Sequence, residues 1–211
     1  MRKFIQLLLA VVIAGLIYVI YIQISTPINF EKEKAEKDKA VIERIKDIRT
    51  AQRAYKAKYQ DFTDNFDTLI NFVLNDTIIM ERKIVDEDDS VGMAQLKLAK
   101  KKNIEQFNVA VFDTVFSPRK LSVEDVQNLR YVPTTNNQVE FEMYSDRIST
   151  ESKVVIPVVE CRVPYTQYLD TIRFRQEIIN LIDNDMKNYN KYPGIKFGSM
   201  MGGNNEAGNW E

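Results

Sequence analysis

Residues Phe4 to Ile24 read FIQLLLAVVIAGLIYVIYIQI, and residues Glu31 to Tyr59 read EKEKAEKDKAVIERIKDIRTAQRAYKAKY. The first stretch carries no charge. As a helix rising roughly 1.5 Å per residue it extends about 32 Å, which matches the hydrocarbon thickness of a bilayer. The second stretch lacks Gly and Pro, and Val41, Ile45, Ile48, Gln52, Tyr55 and Tyr59 recur in it at alternating steps of four and three, with Ala51 and Ala54 alongside. One face of that helix is therefore apolar. Glu43, Lys46, Asp47, Arg49, Arg53 and Lys56 fall largely outside the stripe, and pairs such as Glu43 with Asp47 offer no attraction, so packing has to hold the helix.

A cleaved signal peptide would have an apolar core of only about 7 to 15 residues followed by a small-x-small site. Here Ser25-Thr26-Pro27-Ile28 follows a longer run, so an uncleaved anchor over 1–27 is expected, with Pro27 as a local bend. Tyr18 and Tyr21 lie where amphipathic rings favour the headgroup layer. Charge leaves the orientation open. Arg2 and Lys3 favour a cytoplasmic start, yet Lys32, Lys34, Lys37 and Lys39 follow the span closely.

Working outward, Gln60-Asp61-Phe62-Thr63 breaks the amphipathic stalk of 28–63. Asp64 or Asn65 can then cap a second helix with Phe66, Leu69, Ile70, Val73 and Leu74 on one face. The rest reads as α+β: strands over Thr77 to Val85, Phe107 to Phe116, Gln138 to Tyr144 and Val154 to Tyr165, the last with Pro157 and Pro164 suited to an edge or bulges. Short helices are expected around Met93 to Lys102 and after Ser122, which opens a capping-box pattern ending near Arg130. A final helix from about Asp170 to Asn190 has Ile172, Ile178, Ile179, Leu181, Ile182 and Met186 to bury. A globular α+β domain over 64–197 and a flexible Gly/Asn-rich tail over 198–211 complete the expected organisation; the roughly 185 residues beyond the span suffice for one core or two small lobes.

Composition removes several function classes. The chain has 211 residues, with 29 Lys plus Arg against 30 Asp plus Glu, one Cys, one Trp and no His. Without histidine there is no Ser-His or Cys-His pair, no imidazole shuttle and no His-bearing metal site. A formal charge of -1 offers no general attraction for nucleic acid. Disordered, collagen-like and disulfide-scaffold classes do not fit 45% apolar and 28% charged residues. Cys161, alone, sits in an apolar strand pattern and reads as an inert buried thiol.

The anchor, Pro27, the run Glu33-Lys34-Ala35-Glu36-Lys37-Asp38-Lys39-Ala40-Val41, then Ala51 to Tyr55-Lys56 and Phe62-Thr63, together resemble the N-terminal helix of type IV pilin-like proteins, nearest in pattern to the major pseudopilin of type II secretion systems. The likeness covers about the first third of the chain. The family's precursor cleavage motif and the acid beyond it are not matched: Phe4 follows Lys3, and Leu7, Leu8 and Leu9 stand where the acid belongs. The resemblance implies a single-pass anchor in the inner (cytoplasmic) membrane, an N-terminus in the cytoplasm, a periplasmic head and packing of the N-terminal helix into a helical filament.

Candidate sites follow from these readings. Val41, Ile45, Ile48 and Gln52 are the expected assembly interface, and Tyr55, Tyr59 and Phe62 the expected contacts between helix and sheet. Trp210, one residue from the end, is a candidate tail anchor on its own domain or a neighbouring subunit. Asp86-Glu87-Asp88-Asp89 supplies hard oxygen donors, but composition favours a solvated turn and no metal is assigned. Lys97, Lys100, Lys101 and Lys102 read as a solvated helix end. No catalytic residue, cofactor or small-molecule substrate is expected. The partners expected are membrane lipid and other copies or pilin-like subunits, with no nucleic acid. Two roles remain: a structural assembly subunit, and a non-polymerising single-pass protein that presents a periplasmic binding or adaptor domain.

Overall fold

A computed structural model describes residues 2–86, 88–99, 102–116 and 119–211. The anchor and the stalk are one helix, α1, Arg2–Tyr59, which runs through Pro27 without interruption. Proline deprives a helix of one hydrogen bond and crowds the preceding turn. Here it marks the point where the apolar half gives way to the charged half. Helix α2, Phe66–Asn75, is capped by Asn65, whose side chain accepts from the N–H of Asp67 at 2.7 Å and of Thr68 at 3.2 Å. It buries Phe66, Leu69, Phe72 and Val73.

Strands β1, Thr77–Arg82, and β2, Glu105–Ala110, form an antiparallel pair, and between them lies helix α3, Ser90–Leu98. The helix begins earlier than expected because Asp89 caps it, accepting from the N–H groups of Val91 and Gly92, and it ends at Leu98. None of its residues is buried. The expected strand over Phe107 to Phe116 stops at Ala110, and Val111–Val115 forms a short helix, α4. Its sequence is β-branched, but the turn delivers Val111 and Phe116 into the core, both buried, and that burial outweighs local propensity. Ser122 and Asp125 form a full capping box at the start of α5, Val123–Gln127.

The main sheet is antiparallel, ordered β3-β4-β5, from Glu142–Ser149, Val155–Pro164 and Gly194–Gly198. β4 is thus central rather than an edge. Its prolines are tolerated because each has a neighbour on one side only: Pro157 pairs with Arg147 of β3, and Pro164 with Gly194 of β5. Gly198 adopts a left-handed φ of +78°, and a Cβ there would stand 1.9 Å from the Val159 carbonyl oxygen. Only glycine closes that corner.

After β4 come α6, Tyr165–Tyr168, a turn, and α7, Arg175–Asn188. The last helix starts later than the sequence pattern implies, because Asp170 folds the chain into a turn by accepting from the N–H groups of Ile172 and Arg173. Of the residues expected to be buried along this segment, Ile178 is buried while Ile172, Ile179 and Met186 are exposed. The core joins Val41, Ile45, Ile48 and Ala51 of α1 to Leu69, Phe72 and Val73 of α2 and to Val159, Cys161, Val163, Ile195 and Phe197 of the sheet.

Candidate functional site

The candidate residues lie on α1 and on the parts of the head around it. From Phe4 to Ile24 every described large apolar side chain of α1 is exposed, Phe4 at 71% and Tyr21 at 67%. The helix contains a stretch long and apolar enough to cross a membrane. The first residue of α1 that the head buries is Phe30, whose ring lies 5.4 Å from that of Phe174.

Above Phe30 the head closes over the helix. Val41, Ile45, Ile48 and Gln52, expected to face other subunits, are fully buried in their own domain. They are core residues, not an interface. A helical stripe shows that a face will be covered but not which chain covers it. Gln52 is the polar member, and its side chain is matched on both ends: Nε2 donates to the Thr63 carbonyl at 2.6 Å, and Oε1 accepts from the Thr63 N–H at 3.3 Å.

Tyr55 and Tyr59 pack on α2 rather than on the sheet, with ring centroids 5.2 Å and 5.9 Å from Phe72. Phe62 is buried, whereas Tyr59 is exposed on one side. The Tyr59 hydroxyl donates to Asp76 at 2.7 Å, and Lys58 forms an ion pair with the same carboxylate. Hydrogen bonds from Lys58 and Tyr59 hold the Asp76 carboxyl down at about 2. The tyrosines line a groove of about 230 Å³ with Thr68, Asn71, Phe72, Asn75 and Asp76, which is small for a ligand site.

The C-terminal segment, expected as a free tail, lies along α1. Glu206 meets Arg53 at 3.2 Å and Lys56 at 3.3 Å, and Glu211 meets Arg49 at 2.6 Å. Phe197 forms a bridge with Gly208, and Trp210 packs against the core with the Arg49 guanidinium 5.6 Å from its ring. Trp210 therefore docks on its own domain. Gly and Asn allow the chain to turn back here, and the opposite charges on α1 and the segment bring the two together.

Cys161 is fully buried, and desolvation with the neighbouring Glu160 pushes its thiol far above the ordinary range. Burial holds it protonated and away from reagents. Glu160, itself buried, is matched by Arg162 at 3.2 Å and Lys196 at 3.3 Å. Asp89 of the acidic run serves as a helix cap, while Glu87, like Lys100 and Lys101 of the basic run, lies outside the described residues. Among the described residues no group of three or more Cys, Asp or Glu side chains is placed to hold a metal ion.

A contact that the sequence pattern does not announce lies at the base of the head. Tyr168 donates to Asp38 at 2.6 Å, Arg173 approaches Glu33 to 3.7 Å, and Phe174 meets Phe30. The order 38, 33, 30 shows the chain descending α1 as it passes through the turn between α6 and α7. Burial, together with Asp38, raises the Tyr168 hydroxyl well above its ordinary value, so it stays a donor. No protein-family model, no curated protein and no solved structure matches the chain.

Proposed function

We propose that this chain is a pilin-like or pseudopilin-like structural subunit, anchored in the inner membrane by the apolar half of α1 and carrying its head on the periplasmic side. Its role is structural rather than catalytic. The observation that carries this reading is the division of one unbroken helix: bare and apolar from Phe4 to Ile24, and packed inside the head from Phe30 onward. An apolar rod without internal partners is stable only in lipid or against other apolar helices. Since the Val41 to Gln52 stripe is occupied by the head, subunits assembling in a secretion or pilus-type apparatus would pack through the apolar half instead.

Cysteines placed at both Leu9 and Leu16 of the full chain test this in membranes. Oxidative cross-linking that yields a ladder beyond the dimer, from chains carrying both, supports assembly. The complete burial of Ile45 and Ile48 favours a second reading, a non-polymerising single-pass protein that presents a binding or adaptor domain. Products that stop at monomer or dimer would select it.

A further inference from the structure

The turn between α6 and α7 is the lowest part of the head along α1, and it carries a side chain that the fold leaves bare. Ile172 is 94% exposed, and Ile179, one face further along α7, is 43% exposed. Between them lie Arg173 and Arg175, both exposed. A groove of about 500 Å³ runs beside these residues, lined by Thr166, Thr171, Ile172, Arg175, Ile178, Ile179 and Ile182. After Phe174 the chain reverses, and α7 climbs until Asp185 accepts from the Tyr165 hydroxyl at 3.1 Å. The turn is thus the underside of the head.

Its height is set by α1. Phe30 lies six residues beyond Ile24, or about 9 Å along the helix at roughly 1.5 Å per residue. A headgroup layer is roughly 5 to 8 Å thick on each side of the hydrocarbon. When α1 spans the bilayer, Phe30 therefore stands at the outer edge of the headgroups and Glu33 about 4 to 5 Å further out, and bare Ile172 is the side chain of the turn free to reach inward.

We propose that the Leu169–Phe174 turn is a second membrane contact, in which Ile172 enters the headgroup layer and Arg175 faces lipid phosphates, while Arg173 stays with Glu33. The Asp170 turn holds Ile172 outward, and the Phe174–Phe30 contact ties the turn to the stem, so the wedge needs no rearrangement of the head. Amphipathic surfaces with this pairing of an aliphatic tip and a nearby arginine bind anionic interfaces. The inference rests on the insertion of α1 but not on assembly.

The test uses the full chain in vesicles of phosphatidylcholine with a minority of phosphatidylglycerol, doped with lipid bearing a nitroxide at the headgroup or along the acyl chain. An environment-sensitive fluorophore is placed at one of three substituted positions: Val12→Cys in the span, Ile172→Cys in the turn, or Ile79→Cys on β1. Buried Cys161 takes no label. The expected result is loss of most emission at Ile172 with the headgroup nitroxide, loss at Val12 with the chain nitroxide, and none at Ile79. Quenching at Val12 but not at Ile172 overturns the wedge while leaving the anchor intact. Absence of quenching at both removes the anchor and the wedge together. Protection of the Ile172 label from both nitroxide and aqueous iodide would mean a protein partner covers the turn, and would also overturn the proposal. A label at Thr171→Cys in the same turn should also be quenched by the headgroup nitroxide, and Ile172→Asp, at a position where the fold has no stake, should abolish that quenching and leave the emission of Trp210 unchanged.

Discussion

Gln52 of α1 and Thr63 of the following loop exchange two hydrogen bonds, side-chain amide to backbone, at a site closed to water. This pair returns the chain from the end of the long helix and fixes where α2 begins. Gln52→Leu would leave the Thr63 N–H and carbonyl buried without partners. A loss of roughly 2 to 4 kcal/mol of head stability is expected, measured as a shift in the denaturant midpoint. A midpoint within experimental scatter of the parent would mean that Thr63 reaches water.

Asp47 is buried on α1 beside Arg119, 3.0 Å away. Desolvation pushes its carboxyl up to about 6, against the opposing pull of Arg119 and Arg44. A carboxyl whose folded value lies above its unfolded one holds its proton longer when folded, so this group stabilises the head at low pH and loses that contribution as pH rises from about 4 to about 6. The unfolding midpoint should fall over that window. Asp47→Asn should flatten the slope, and an unchanged slope in the variant would assign the titration elsewhere.

Trp210 is the sole tryptophan, so its fluorescence reports on the C-terminal segment alone. Packed against the core under Arg49, it should emit to the blue of free indole and shift red in one step with unfolding of the head. Trp210→Ala should cost about 2 to 4 kcal/mol, in the range of a large aromatic truncation at a partly covered site. Water-like emission from the native protein would detach the segment from α1.

Cys161 should resist thiol reagents in the native head and react only as fast as the head opens, since its thiol is buried and its ionisation is suppressed. The rate of modification should match the unfolding rate from denaturant jumps. Fast labelling of the native protein would contradict the burial of β4 in the core.

Gly198→Ala places a methyl where the Val159 carbonyl stands and holds an L-residue at φ +78°. A loss of at least about 2 kcal/mol is expected from overpacking and backbone strain combined. Near-parent stability in thermal unfolding would show that β5 can slide away from β4.

Much of the architecture was legible because its signals are local. The uncharged run from Phe4, the three-four spacing from Val41 to Tyr59, Asn65 as a cap and Ser122 with Asp125 each act within a few residues. What was not legible depends on distant partners. Periodicity assigned Ile45 and Ile48 to a buried face, but whether their cover was a neighbouring subunit or their own sheet depends on β4 and β5, more than a hundred residues away. Val111 to Val115 has strand propensity, and only the position of the core made it a helix. Ile172 and Ile179 look like core members of a helix until Asp170 delays its start. The Gly- and Asn-rich end carries no pattern at all, and its place is set by Arg49, Arg53 and Lys56 on α1.

The passage of α1 through Pro27 with no intervening loop governs how far the head can reach. A head on a flexible tether sweeps a volume and meets partners at many heights and angles, whereas one mounted on a continuous rod would, on the proposed insertion, be confined to a thin slab parallel to the lipid plane. Rotation of the rod about its own axis turns the head through the same angle. On the proposed insertion, a partner would approach within that slab, at a bearing dictated by how the rod is turned in the lipid.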